Sequence, residues 1–298
     1  MSKNAAMLLI LLGGSFMSFV GLIMRLLETS DGFVILFYRS ISLAAIVGIV
    51  ACIRRKSSPI TFIRGLDWTD LAMGFVLGIA FMTYVFAMLL TSVASTLFLL
   101  TTSPFLAAII GWVWINERPH PFTWVAMATA IIGVGVMISD GLELGRTLGN
   151  LVALVSALAF AIMLVIARRS RKDDVLGGTF LGGVFAFLMA GIAAFTIGNG
   201  IGISLYDLGL TLFMGAFTIG IGIAFVTWGT SYVPAAEVSL LVLIESVLGP
   251  IWPWVFLGES MSWLEIIGGA TVMTAVILLA LVGRSKPAIL KSNAPANP

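Results

Sequence analysis

The chain is poor in charge, cysteine and histidine. Only 10% of its 298 residues are charged, with one cysteine, Cys52, and one histidine, His120. A soluble domain carries roughly 25% charged residues, and no water-soluble fold of this length hides 60% apolar residues at a mean hydropathy of +1.12. One cysteine excludes an intramolecular disulfide and is silent on redox compartment. One histidine, held between Pro119 and Pro121, excludes a histidine zinc site or a Ser-His pair. Neither a G-x-S-x-G turn nor a phosphate-binding P-loop occurs. Tyr206-Asp207 resembles half of an intramembrane aspartyl-protease signature, but its G-x-G-D partner is missing. No catalytic residue, metal or cofactor is therefore expected. With 16 Lys+Arg against 14 Asp+Glu the net charge is +2, so no basic surface points to nucleic acid.

What the chain does have is long apolar runs. Ten read as helices of about 20 residues, enough to cross a bilayer: 7–27, 33–53, 66–90, 93–115, 122–138, 148–167, 175–197, 208–231, 238–257 and 261–282. They are continuously apolar, not alternating, which favours helices over a β-barrel. The expected class is an all-α membrane protein embedded in a lipid bilayer. The first run leads straight into Arg25 and Glu28 with no A-x-A site, and so reads as a span, not a cleaved leader. With the N-terminus inside, thirteen Lys/Arg fall on the inner segments, only Arg25 and Arg146 on the outer ones, and Arg39 within a span. That bias places both termini in the cytoplasm. Residues 285–298 are polar and are expected to form a disordered tail.

The chain divides near Gly145 into two five-span halves, 1–145 and 146–284. At an offset of 142, Ala94 meets Ala236, Leu99 meets Leu241, Leu106 meets Leu248, Trp112-Val113 meets Trp254-Val255, and Glu117 meets Glu259. Five is odd, so the second half enters the membrane upside down relative to the first. Inverted repeats are a transporter construction.

At this point a family resemblance emerges. Ser103-Pro104 through Trp-Val-Trp-Ile-Asn-Glu (112–117), its second copy Gly249-Pro250 through Trp-Val-Phe-Leu-Gly-Glu (254–259), and Tyr38-Arg39-Ser40 resemble EamA-type members of the drug/metabolite transporter superfamily over residues 5–284. The resemblance implies a secondary exporter of the bacterial inner membrane working by alternating access. It is nearest to exporters of aromatic and other neutral amino acids. It also implies that the third, fourth and eighth helices line the cavity. The alternatives are a small-solute channel or facilitator, or a membrane scaffold subunit. Oligomeric state is open, with a monomer compatible. The second copy departs from the first in having Ser246 where the first has Pro104.

Candidate site residues follow. Pro104 in the fourth span and Gly249, Pro250 and Pro253 in the ninth mark kinks at corresponding positions, the sequence pointer to a midplane binding site. Thr101, Thr102 and Ser103 either satisfy the freed backbone or face a cavity. Glu245, beside Ser246, is a carboxylate deep in a span. It reads a substrate ammonium, carries a proton, or stays a neutral structural acid. Arg39 either pairs a carboxylate in the cavity or snorkels to the outer interface. Tyr84, Phe98 and Trp228 either pack on the apolar part of a substrate or belong to the core. Glu117 and Glu259 are expected to satisfy nearby loop or helix-end amides, and Glu237 fits a helix start. Trp68, Trp124 and Trp263 read as interfacial anchors. Gly74-xxx-Gly78, Gly178-xxx-Gly182, Gly14-xxx-Ser18 and Gly135-xxx-Ser139 read as close helix contacts.

Overall fold

A computed structural model describes residues 2–116, 121–143, 145–170, 175–198, 200–230, 232–233, 238 and 241–283. Polar residues in the loops set where the helices begin. Asp31 accepts from the amides of Phe33 and Val34 at the start of α2 (Gly32–Arg55). Asp67 and Asp70 form a capping box for α4 (Trp68–Leu90), and Ser92 caps α5 (Val93–Leu100). Each supplies an acceptor to a helix-start amide that otherwise has none. The other helices are α1 (Lys3–Leu26), α6 (Ser103–Ile115), α7 (Pro121–Glu143), α8 (Thr147–Ser170), α9 (Leu176–Thr196), α10 (Leu205–Phe213), α11 (Gly222–Thr230), α12 (Ile244–Leu257) and α13 (Trp263–Gly283). A short α3 (Pro59–Arg64) between the second and third spans was not foreseen. Ser58 caps it, Pro59 opens it, and Phe62 is buried beneath it.

Among the described residues, eight helical segments are long and apolar enough to cross a membrane, and the apolar stretches Ile244–Leu257 of α12 and Trp263–Leu278 of α13 occupy the ninth and tenth positions. No strand occurs among the described residues. The protein is an all-α membrane protein, as the apolar runs required.

Helix neighbours follow the inverted-repeat pattern. The first span packs on the ninth (α1 with α12) and the sixth on the fourth (α8 with α6). The third packs on the sixth (α4 with α8), and the eighth on the first (α11 with α1). Exchanging each span with the one five places away converts one pair into the other. The third also packs on the seventh (α4 with α9), matched by the eighth on the second (α10 and residues 214–221 with α2), and the pairs α2 with α9 and α7 with α13 map onto themselves. Small residues allow the closest approaches. A Cβ on Gly133 would lie 2.7 Å from the carbonyl oxygen of Gly268, and a Cβ on Gly268 2.7 Å from that of Gly133. Gly74-xxx-Gly78 and Gly178-xxx-Gly182 meet each other across α4 and α9. Gly135 has no neighbour within 4 Å and is not a contact position.

The fourth span breaks as expected. α5 stops at Leu100, residues 101–102 turn, and α6 restarts with Pro104 in its first turn. The hydroxyls of Thr101 and Thr102 donate to the carbonyls of Phe98 and Leu99, both at 2.6 Å. The ninth span breaks too, but not at its prolines. The turn falls at Leu243, and α12 runs on as helix through Gly249, Pro250 and Pro253 to Leu257. At the offset of 142 the residue equivalent to Leu243 is Thr101, and that equivalent to Gly258 is Asn116. Gly258 and Asn116 both close their helices in left-handed conformations, φ 69° and 58°. Gly249, Pro250 and Pro253 lie inside the helix that follows this turn. The eighth span holds a π-helical stretch, Met214–Ile221, between α10 and α11, which nothing in its sequence announced.

Candidate binding site

Arg39 on α2 is fully buried, which removes the snorkelling alternative. Its guanidinium lies 5.5 Å from the Phe81 ring centroid and 5.9 Å from that of Tyr84. Nη2 reaches the Phe81 carbonyl at 3.5 Å, while Nε and Nη1 have no partner. Aromatic faces offset part of the cost of burying a cation. Two unsatisfied donors on a buried charge remain costly.

Tyr84 on α4 is itself buried and lies within electrostatic reach of both Arg39 and Glu245. Glu245 sits one residue into α12, enclosed by the bundle yet retaining some accessible surface. Arg39 and Tyr84 are thus neighbours from the second and third spans, while Glu245 of the ninth is felt at Tyr84 only through its charge. Only the ninth belongs to the second half. Ser246 is buried beside Glu245, its amide bonded to the Leu243 carbonyl at 3.0 Å. The group has a guanidinium fork seeking acceptors and a carboxylate able to accept from a cation.

Other candidates lie elsewhere. Phe98 packs against Gly269 on α13 and a cluster of Ala87, Leu99, Met137 and Ala153, so its ring is core. α11 turns Gly222 and Gly229 toward α1, which leaves Trp228 55% exposed and apart from Arg39. Thr101, Thr102 and Ser103 are buried at the break, with both threonine hydroxyls committed to carbonyls. Gly249 makes room for Leu97, whose Cδ1 lies 2.2 Å from where a Cβ would stand. Trp68, Trp124 and Trp263 are exposed, as membrane-edge rings are. Glu117, Glu237 and residues 285–298 lie outside the described residues.

Glu259 does what was expected and more. Its carboxylate accepts from the Val93 amide at 3.2 Å and binds Arg25 Nε at 2.7 Å and Nη2 at 3.2 Å. Partial burial raises its pKa, but the Arg25 hydrogen bond and charge outweigh this and hold it below the usual carboxylate value. Nearby, Glu265 is buried and accepts from the Ser92 hydroxyl, from Ser95 at 2.8 Å and from the Ser262 amide at 3.0 Å. Arg146 stands 3.6 Å from it. The sequence reading passed over Glu265, although Ser262-x-x-Glu265 before an apolar run is a capping-box signature.

A duplicated all-α bundle with breaks at equivalent places is the architecture of this membrane protein. The EamA-like transporter family profile matches residues 4–139 and again 147–281, and the chain belongs to that family. It is 26% identical over 200 residues to an uncharacterized transporter of Archaeoglobus fulgidus, covering 66% of this chain and 70% of that one. It is 34% identical over 77 residues to a probable terminal-alkyne amino-acid exporter of Streptantibioticus cattleyicolor, covering 26% of each. It is 22% identical over 196 residues to an uncharacterized transporter, YwfM, of Bacillus subtilis, covering 64% of this chain and 65% of that one. A solved crystal structure shares the fold at a TM-score of 0.66 and 18% identity, over 96% of this chain and 100% of that one.

Proposed function

We propose that this protein is a secondary exporter of small zwitterionic amino acids, aromatic ones favoured, working by alternating access between its two halves. The observation that carries this reading is the Arg39 guanidinium, buried against the Phe81 and Tyr84 rings with Nε and Nη1 unpartnered. A substrate carboxylate supplies the acceptors that Arg39 lacks, in the forked geometry guanidinium suits. Glu245 takes the ammonium group. The Phe81 and Tyr84 rings beside the guanidinium provide apolar surface for a side chain. The amino-acid exporter of S. cattleyicolor lends support over a short stretch only. The strong bias of basic residues supports both termini in the cytoplasm of a bacterial inner membrane, with a monomer as the working unit.

The test is counterflow in proteoliposomes with a panel of radiolabelled amino acids. Saturable trans-stimulated exchange of neutral amino acids is expected. Their decarboxylated amines and deaminated acids should compete at least roughly tenfold more weakly, since each leaves one charged partner unmet. Non-saturable flux would mark a channel instead. Displacement by sugar phosphates or nucleotides at low concentration would reject the zwitterion site.

A further inference from the structure

The end of the bundle opposite the N-terminus is tied across the two halves by polar contacts that the binding site does not use. Arg25, in the last turn of α1, donates to Glu259 between α12 and α13. It also donates to the carbonyls of Met88 at 2.6 Å and Thr91 at 2.8 Å at the end of α4. Glu259 in turn holds the first amide of α5. Glu265 takes the hydroxyls of Ser92 and Ser95 on the same turn, and Ser262 donates to Asp140 at 2.7 Å. The two carbonyl bonds of Arg25 stay within the first half, and the contacts made by Glu259, Glu265 and Ser262 link residues before Gly145 to residues after it.

α5 is the element that these contacts fasten. It is eight residues long, clamped at its start by Glu259 and Glu265, and passes at its end into the turn at residues 101–102, whose amides and hydroxyls bond back to the carbonyls of residues 97–99. Its Leu97 rests in the space left by Gly249 on α12. A short rigid segment with a polar tie at one end and a helix break at the other is built to swing as a unit. The Arg25–Glu259 side chains are only 23% and 25% exposed, so the pair is neither freely hydrated nor sealed in the core. An ion pair in that setting holds without being costly to reopen.

We infer that the Arg25–Glu259 bridge is the clasp of a gate, with α5 as the moving leaf and residues 101–102 as its hinge, and that it opens and re-forms once per transport cycle. The inference needs a transporter, but it does not depend on which solute is carried. Its test therefore reads the protein without substrate. In a Cys52→Ala background, Ser18→Cys places one thiol on α1, roughly 10 Å of helix rise inside Arg25. Ser18 is 1% exposed here and accepts from the Trp252 indole at 2.8 Å. Maleimide labelling of the purified protein should be slow, and Arg25→Gln or Glu259→Gln should speed it about tenfold by populating the open state. Glu259→Asp keeps the charge but shortens its reach, and should label at an intermediate rate. Its milder change keeps the test decisive where the amide variants aggregate. Labelling rates equal to the parent in a monodisperse Glu259→Asp or Glu259→Gln protein would overturn the gate, whatever the amino-acid panel shows.

Discussion

In the fourth span the helix stops at Leu100 and restarts at Ser103, with Pro104 in the new first turn and two threonine hydroxyls on the loosened carbonyls. In the ninth, Leu243 makes the turn and Ile244 restarts the helix without a proline, while Pro250 and Pro253 ride inside the helix that follows. The two breaks coincide under the 142-residue offset although their local chemistry does not. A proline lacks the amide that would close the helix, which suits Pro104 to the first break. It has no counterpart at the second. Glu245 stands where the first half has Ser103. The duplication supplied one scaffold twice, and only the second copy places a carboxylate at the break.

The sharpest way to break this comparison is to exchange the charge for its neutral isostere. Glu245→Gln is expected to lower initial transport rates roughly tenfold to a hundredfold, the range for a lost hydrogen bond to a charged group. Ser103→Ala at the equivalent place should cost less than about threefold, the scale of a weak neutral hydrogen bond. Both are measured in proteoliposomes at matched protein density, and equal effects would dissolve the distinction between the halves. Arg39→Met separates function from stability. Removing a buried, partly unsatisfied charge should raise stability by about 1–4 kcal/mol while abolishing saturable uptake. Thermal unfolding in detergent checks the first and counterflow the second.

A smaller effect is expected at the α5–α12 contact. Gly249→Ala forces Leu97 to move, at a cost of about 1–3 kcal/mol, seen as a lowered thermal midpoint. The equivalent residue in the first half is already alanine, Ala107, buried on α6, so the asymmetry belongs to the ninth span. Thr102→Val removes the hydroxyl bonded to Leu99 and should cost about 1 kcal/mol. Smallest of all, Pro104→Ala should leave stability within about 1 kcal/mol and the break in place, because the ninth span turns without a proline. Hydrogen exchange at the amides of residues 101–106 checks this, and protection throughout the segment would show that the proline alone made the break.

Composition and hydropathy alone established the class. Long apolar runs leave a backbone in lipid no choice but helices, so the spans were legible to within a few residues. The duplication was legible as well, because the Trp-Val and Glu matches recur at one fixed offset. So was the place of the fourth span's interruption, which Pro104 marks. Four matters were settled only by packing. The ninth span turns at Leu243, where neither proline nor glycine announces it. Phe98 is core and Trp228 faces outward because helix rotation decides which side chains meet, and rotation is set by glycine contacts such as Gly74 with Leu181 and Gly229 with Ile10. Arg39 and Tyr84 are distant in sequence, and only the packing of α2 against α4 sets the guanidinium over the phenol ring. The Arg25–Glu259 bridge spans 234 residues. Local pattern carries no information about such a pair, which exists because the two halves close against each other at the same end.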